Sequence, residues 1–182
     1  MIVSIIDCSW VDCRADCGVE VRVLIDISQQ CLKLFDGGVL LSAYPISSAK
    51  NGIGQLINSG CTPLGRHRIC QKIGDDLPMN AVLVGRAFTG EIYDESLASQ
   101  HPQRDWILTR ILRLAGVEDG VNKGEINGVS CDSCERYIYI HGTPDSEPMG
   151  VPRSHGCIRM RNADVLALYA QVSVGTAVEI VA

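Results

Sequence analysis

No stretch of the 182 residues is apolar for anything near the roughly 20 positions that a membrane-crossing helix needs, so no membrane span is expected. Nor is there a basic block: 16 Lys and Arg stand against 21 Asp and Glu, a net charge of −5. Phosphate backbones require clustered positive charge, which argues against nucleic acid as the main partner. With 18 Gly and 7 Pro the chain is too poor in both to be a linker, and no internal repeat or low-complexity tract is visible. The opening Met1 to Asp7 has no basic n-region, and Asp7 cuts its apolar run short, so it does not read as a secretory signal. Nine cysteines (Cys8, Cys13, Cys17, Cys31, Cys61, Cys70, Cys131, Cys134 and Cys157) are an odd number at irregular spacing, unlike a disulfide scaffold. Reduced thiols in a cytoplasm are the simpler expectation. A periplasmic location is the alternative if a leader has been removed.

What is present suits one compact domain. The chain is 46% hydrophobic and 20% charged, and its length allows about 70% of the unfolded surface to be buried. A cysteine-containing lead over 1–18 is expected to precede a domain over 19–182. Val19 to Ser28 alternates apolar and polar residues as a half-buried strand does. Residues 31–35 and 39–47 flank Asp36-Gly37-Gly38, a hairpin signal. Lys50 to Gly60 reads as a loop, residues 66–70 as a strand, and Asn80 to Ala87 as another short strand. Arg104 to Leu114 places Trp106, Ile107, Leu108, Ile111, Leu112 and Leu114 on a broad stripe, which predicts a helix with Arg104, Arg110 and Arg113 in solvent. Glu118 to Cys134 reads as loop and Tyr137 to Ile140 as a strand ending on His141-Gly142. Asn162 to Gln171 predicts a helix capped by Asn162 with Asp164 in its first turn, and Thr176 to Val181 a last strand. The class is mostly β, with one long and one shorter flanking helix.

The chemistry gathers in Ile140 to Met160, which holds His141, His155 and Cys157 among glycines and prolines. A thiol attacks well only as thiolate, and imidazole or oriented N–H groups favour that form. Gly156 permits the tight backbone that aims consecutive amides at one point, as an oxyanion hole requires. His141 lies at a strand end 16 residues before Cys157, so the intervening loop can bring imidazole beside sulfur. Nucleophile, base and N–H donors for acyl transfer through a thioester are all present.

This segment, His141-Gly142-Thr143, a loop, then Ser154-His155-Gly156-Cys157-Ile158-Arg159-Met160, resembles the signature of the YkuD-type L,D-transpeptidase catalytic domain. Residues 23–47, Thr62-Pro63-Leu64-Gly65 and the stretch from Thr109 to Gly124 resemble further parts of that family, from about Glu20 to the C-terminus. The resemblance implies a β-sandwich or partly closed barrel with its active loop in a cleft at one end. It makes Cys157 the nucleophile and His141 the base, oriented by the Gly142 carbonyl. His155, Gly156 and Ser154 would form the site loop, and Arg159 and Thr143 would bind substrate. It implies action on peptidoglycan stem peptides or muropeptides, at the bond between residue 3 (meso-diaminopimelate) and terminal D-alanine. An L,D-carboxypeptidase trimming tetrapeptide to tripeptide in murein recycling is the leading expectation. A transpeptidase forming 3-3 cross-links or attaching a protein is the alternative. Carbapenem β-lactams would acylate the thiol, and no cofactor or metal is implied.

Competing readings exist for several residues. Cys131, Cys134, His141, His155 and Cys157 could supply four zinc ligands, although a second Cys pair at proper spacing is missing and His-Gly-Cys crowds its donors. Cys157 could be an inert core thiol, and the domain a peptide binder without catalysis. Asp145 and Glu147 read as solvated lid charges, His67 as solvent-facing or packed, and Tyr137 and Tyr139 as sheet residues.

Overall fold

The computed structural model describes residues 21–182, so the expected lead over 1–18 lies outside them. Strand β1 (Val21–Asp26) buries Val23 and Ile25, and β2 (Cys31–Asp36) buries Leu32 and Leu34, the period-two pattern of a half-buried sheet. The turn to β3 (Val39–Pro45) runs through Gly37 (φ +52°) and Gly38 (φ +87°). Consecutive left-handed residues give the turn whose twist suits a tight hairpin, which is why glycine occupies both positions. Next come β4 (Gly65–Ile73), β5 (Ala81–Val84), β6 (Ala87–Ile92), α1 (Glu95–Gln100), β7 (Ile107–Gly116), the small hairpin β8 (Glu125–Ile126) and β9 (Val129–Ser130), β10 (Tyr139–Gly142), β11 (Ile158–Met160), α2 (Asn162–Gln171) and β12 (Ala177–Val181).

Ten strands form one mixed sheet in the order β11-β10-β7-β4-β12-β1-β2-β3, with β5 and β6 branching from β7. The pairs β1–β12 and β10–β11 are parallel and the others antiparallel. Ser47, just past β3, exchanges two backbone hydrogen bonds with Arg159 of β11 (3.0 and 2.9 Å), so the two edges meet at a single bridge. The sheet is mostly β and curls without closing into a barrel. Its main core joins Ile25, Leu34, Ile69, Leu112, Ile140 and Ile158 to Val165 and Leu168 of α2.

Three local expectations are corrected. Arg104 to Leu114 is not a helix; its apolar residues from Ile107 onward belong to β7, which is buried on both faces. Leu112 and Leu114 enter the main core, Ile111 packs with Leu83 and Tyr139, and Leu108 with Val82 and Trp106. A strand covered on both sides is apolar at nearly every position, so it satisfies the helical period as well. Arg110 is accordingly buried and Arg113 donates to the Cys134 carbonyl (2.9 Å), so neither forms a solvated helix face. The expected single strand at Asn80 to Ala87 is two strands around the turn Gly85-Arg86, both residues left-handed. The second helix is instead short α1, whose Asp94 carboxylate accepts from the Leu97 N–H (2.7 Å).

Candidate active site

Strands β10 and β11 run parallel with Ile140 opposite Ile158, His141 opposite Arg159 and Gly142 opposite Met160. Side chains alternate along each strand. Ile140, Ile158 and Met160 therefore fill the main core, while His141 and Arg159 share the opposite face. Cys157, one residue before β11, has the parity of Arg159 and packs on that same face against Leu83, Ile111 and Tyr139. The sheet register thus places Cys157 and His141, the two residues singled out by the sequence, on one face of the sheet.

The His141 Nδ1 lies 2.8 Å from the Gly142 carbonyl oxygen. A carbonyl only accepts, so Nδ1 carries the hydrogen and Nε2 keeps its lone pair. Burial pushes this imidazole down to about 4, and the Gly142 carbonyl and the Asp105 charge offset that only in part. The Cys157 sulfur receives the Tyr139 N–H (3.4 Å) and donates its own hydrogen to the Tyr137 carbonyl (3.4 Å), not to His141. Burial pushes the thiol up to about 11. The Tyr139 N–H, Arg159 and Arg136 favour the thiolate, and the Asp105 charge opposes it. At neutral pH the resting pair is therefore a thiol and a neutral imidazole.

The turn that carries Cys157 is tied from three sides. Ser154 Oγ donates to the Cys157 carbonyl (2.5 Å) and accepts the Gly156 N–H (3.3 Å), while its own amide donates to Ser48 O (2.9 Å). Thr62 Oγ1 donates to the Gly156 carbonyl (3.0 Å). Gly156 stands at φ +139°, a backbone region that L side chains avoid. The Gly156 amide is engaged by Ser154, whereas no turn or loop carbonyl among the described residues accepts from the His155 or Cys157 N–H.

Asp105 was not singled out by the sequence, because it falls at the start of the expected helix. Its carboxylate joins Arg159 Nη2 (2.7 Å) and His155 Nδ1 (3.0 Å). Burial alone would raise this carboxyl, but Arg159 and the hydrogen-bonding His155 hold it below the usual carboxylate range. Arg159, buried, also reaches Glu147 Oε2 at 3.4 Å, so Glu147 is an ion-pair partner and not a free lid charge. Thr143 is buried, its amide donating to Met160 O (3.1 Å). These residues, with Trp106, line a cavity of about 160 Å³. A second cavity of about 350 Å³ lies across His155, lined among others by Asn58, Glu135, Arg136 and Tyr137. His155 is exposed and stands between the two.

Arg136 also went unnoticed in the sequence. Its half-buried guanidinium donates to the carbonyls of Gly54 (3.1 Å), Gln55 (2.8 Å) and Cys61 (2.7 Å) and to Ser59 Oγ (3.3 Å). It clamps the 54–61 loop beside the backbone turn that holds Cys157. Arg136→Ala should lower the unfolding free energy by about 2–4 kcal/mol in urea titration, the scale for losing a charged donor to several carbonyls. A loss below about 0.5 kcal/mol would mean that the clamp contributes nothing.

Among the described residues no group of three or more His, Cys, Asp or Glu is placed to hold a metal ion, which removes the basis for the zinc reading there. Cys131 is buried, its thiol against the carbonyls of Lys123 (3.5 Å) and Gly124 (3.3 Å). His67 is packed, between Gly65 O (3.0 Å) and Ser133 Oγ (2.9 Å). No helix among these residues is long and apolar enough to cross a membrane.

Comparison with known proteins gives the same family. The model of the YkuD family, the L,D-transpeptidase catalytic domain, matches residues 20–180. A stretch of 46 residues is 44% identical to the Escherichia coli protein named "Probable L,D-transpeptidase YbiS", covering 25% of this chain and 15% of that one. Among solved structures, an L,D-transpeptidase from Mycobacterium smegmatis superposes with TM-score 0.53 at 22% identity, over 91% of this chain and 60% of its own. The L,D-transpeptidase LdtMt1 in complex with imipenem gives TM-score 0.52 at 19% identity, over 90% of this chain and 60% of its own. The chain thus spans less than two thirds of the length of these relatives, and the low identities speak for the fold alone. With a family match over nearly all the described residues, the chain belongs to the L,D-transpeptidase catalytic domain family.

Proposed function

We propose that this domain performs thiol-dependent acyl transfer on peptidoglycan stem peptides, cleaving the bond between residue 3 and D-alanine with water as the acceptor. The observation that carries the reading is His141, its Nδ1 hydrogen fixed by Gly142 O, on the same face as Cys157. The thiol hydrogen turns from Tyr137 O to the free Nε2 of His141 as sulfur attacks the carbonyl carbon. The C–S bond forms, the oxyanion rests on the Cys157 N–H, and collapse breaks the C–N bond. The imidazolium returns its proton to the departing D-alanine amine. Water, deprotonated by His141, then releases the peptide acid and restores the thiol. A substrate carboxylate can replace Glu147 on Arg159 Nη1 while Asp105 keeps Nη2, since the Glu147 contact is the longer.

The free thiols Cys31, Cys61, Cys70, Cys131, Cys134 and Cys157 fit a reducing cytoplasm, which favours trimming of recycled peptides over cross-linking. Mass spectrometry of a murein tetrapeptide incubated with the protein tests this. Tripeptide alone supports hydrolysis, a dimer lighter by one D-alanine supports transpeptidation with an amine acceptor, and an unchanged tetrapeptide overturns both. Because a solved relative was captured with imipenem, that carbapenem should add once per chain, at Cys157, on intact-protein mass spectrometry; no adduct on that residue would count against the nucleophile.

A further inference from the structure

Asn162 opens α2, where its residue type and position predict a helix cap, yet α2 has no side-chain cap bond. The side chain turns inward instead. Asn162 Nδ2 donates to the Thr143 carbonyl (2.9 Å), and Oδ1 accepts from Thr109 Oγ1 (2.6 Å). A carbonyl only accepts, so Thr143 fixes which end of the amide faces it and thereby obliges the Thr109 hydroxyl to donate. That hydroxyl in turn accepts the Asn80 N–H (3.0 Å). Thr109, Thr143 and Asn162 are all buried, and the relay is fully satisfied.

Thr109 is held at φ +69°, a region that a β-branched residue rarely adopts. It sits at the irregularity where β10 pairing with β7 steps from His141–Ile111 to Gly142–Leu108. A side chain on Gly142 would strike Asn162 Oδ1 and the Leu108 carbonyl, so the Asn162 amide bears directly on the residue whose carbonyl orients His141. On the other side, the Thr143 N–H is held by Met160 O (3.1 Å).

We propose that Asn162, set by Thr109, is a positioning residue: by holding Thr143 O and abutting Gly142 it aims the Gly142 carbonyl at His141 Nδ1 and so keeps the lone pair on Nε2. The inference rests on the acyl-transfer reading for its purpose, but the arrangement is measurable without any peptide substrate. Two readouts serve: the ¹⁵N shifts of the His141 ring, which separate protonated from bare nitrogen, and the rate of Cys157 alkylation by iodoacetamide against pH.

Asn162→Ala and Thr109→Val should each show His141 as a mixture of tautomers and slow alkylation near neutral pH by about 10-fold or more, the sense in which a misplaced tautomer weakens a base. Thr109→Ser, which keeps the hydroxyl, should match wild type in both. Should Asn162→Ala fail to fold, the Val and Ser pair at Thr109 decides alone, since it breaks or keeps the same relay one bond further away. A single Nδ1–H tautomer and unchanged alkylation in folded Asn162→Ala or Thr109→Val overturn the proposal, as does equal behaviour of the Val and Ser variants. Absence of D-alanine release from wild type would instead count against the acyl-transfer reading and leave both readouts intact.

Discussion

Cys157→Ser should fold as wild type does and release D-alanine from tetrapeptide on the order of 10⁴-fold more slowly, or worse, in a coupled amino-acid assay. The size follows from acidity. Burial already pushes the thiol up to about 11 and the His141 imidazole down to about 4, so the proton moves to a weak base only as the new bond forms. A hydroxyl is a still weaker acid, and each further unit of mismatch costs about 1.4 kcal/mol. The packing change is small, because sulfur and oxygen accept the same Tyr139 N–H and donate to the same Tyr137 carbonyl. Cys61→Ser is the matched control: its backbone carbonyl, not its thiol, is bound by Arg136, so activity should stay within about 2-fold of wild type. Retention of more than a hundredth of the activity in Cys157→Ser would move the nucleophile elsewhere.

The sequence made the chemistry legible more readily than the architecture around it. Strands β1 to β3 and the Gly37-Gly38 turn follow from alternation and from a backbone that glycine alone adopts easily. The Ile140 to Met160 segment carries the proposed nucleophile and base and the turn glycine within one short window. Strand β7 was misread because both its faces are covered, which erases the period that separates strand from helix. Asp105 was lost with it, since it binds Arg159 and His155 across fifty or so residues of chain that only the β7–β10–β11 order brings together. Asn162 was read by its commonest local role, and nothing local announces that its amide faces Thr109 and Thr143. Arg136 looks like any surface arginine until the 54–61 loop folds over it. For α1, however, Asp94 before Glu95 and His101-Pro102 after it are a start and a stop that the sequence does display.

Acid should unfold this domain earlier than its carboxylates require. His67 and His141 are both buried and both pushed by burial from 6.5 down to about 4. Between those values the unfolded chain takes up a proton at each ring that the folded chain refuses. Stability is therefore full above about pH 6.5 and drains as pH falls toward 4, by roughly 3 kcal/mol for each histidine. Together, about 6 kcal/mol is a large part of the 5–15 kcal/mol that holds an ordinary domain. Protonating His67 also forces its Nε2 to stop accepting from Ser133 Oγ, and protonating His141 places a charge beside Arg159. Asp105 and Glu118, both held below the usual carboxylate range, add their loss only at still lower pH. Unfolding free energies from urea titrations should be level above about pH 6.5 and fall below it with a slope approaching about 2.7 kcal/mol per pH unit, and His67→Asn should halve that slope. Unchanged free energies from pH 7 to 5 would mean that both rings charge in the folded protein as easily as in water, and the buried neutral His141 imidazole that the proposed mechanism needs would be gone.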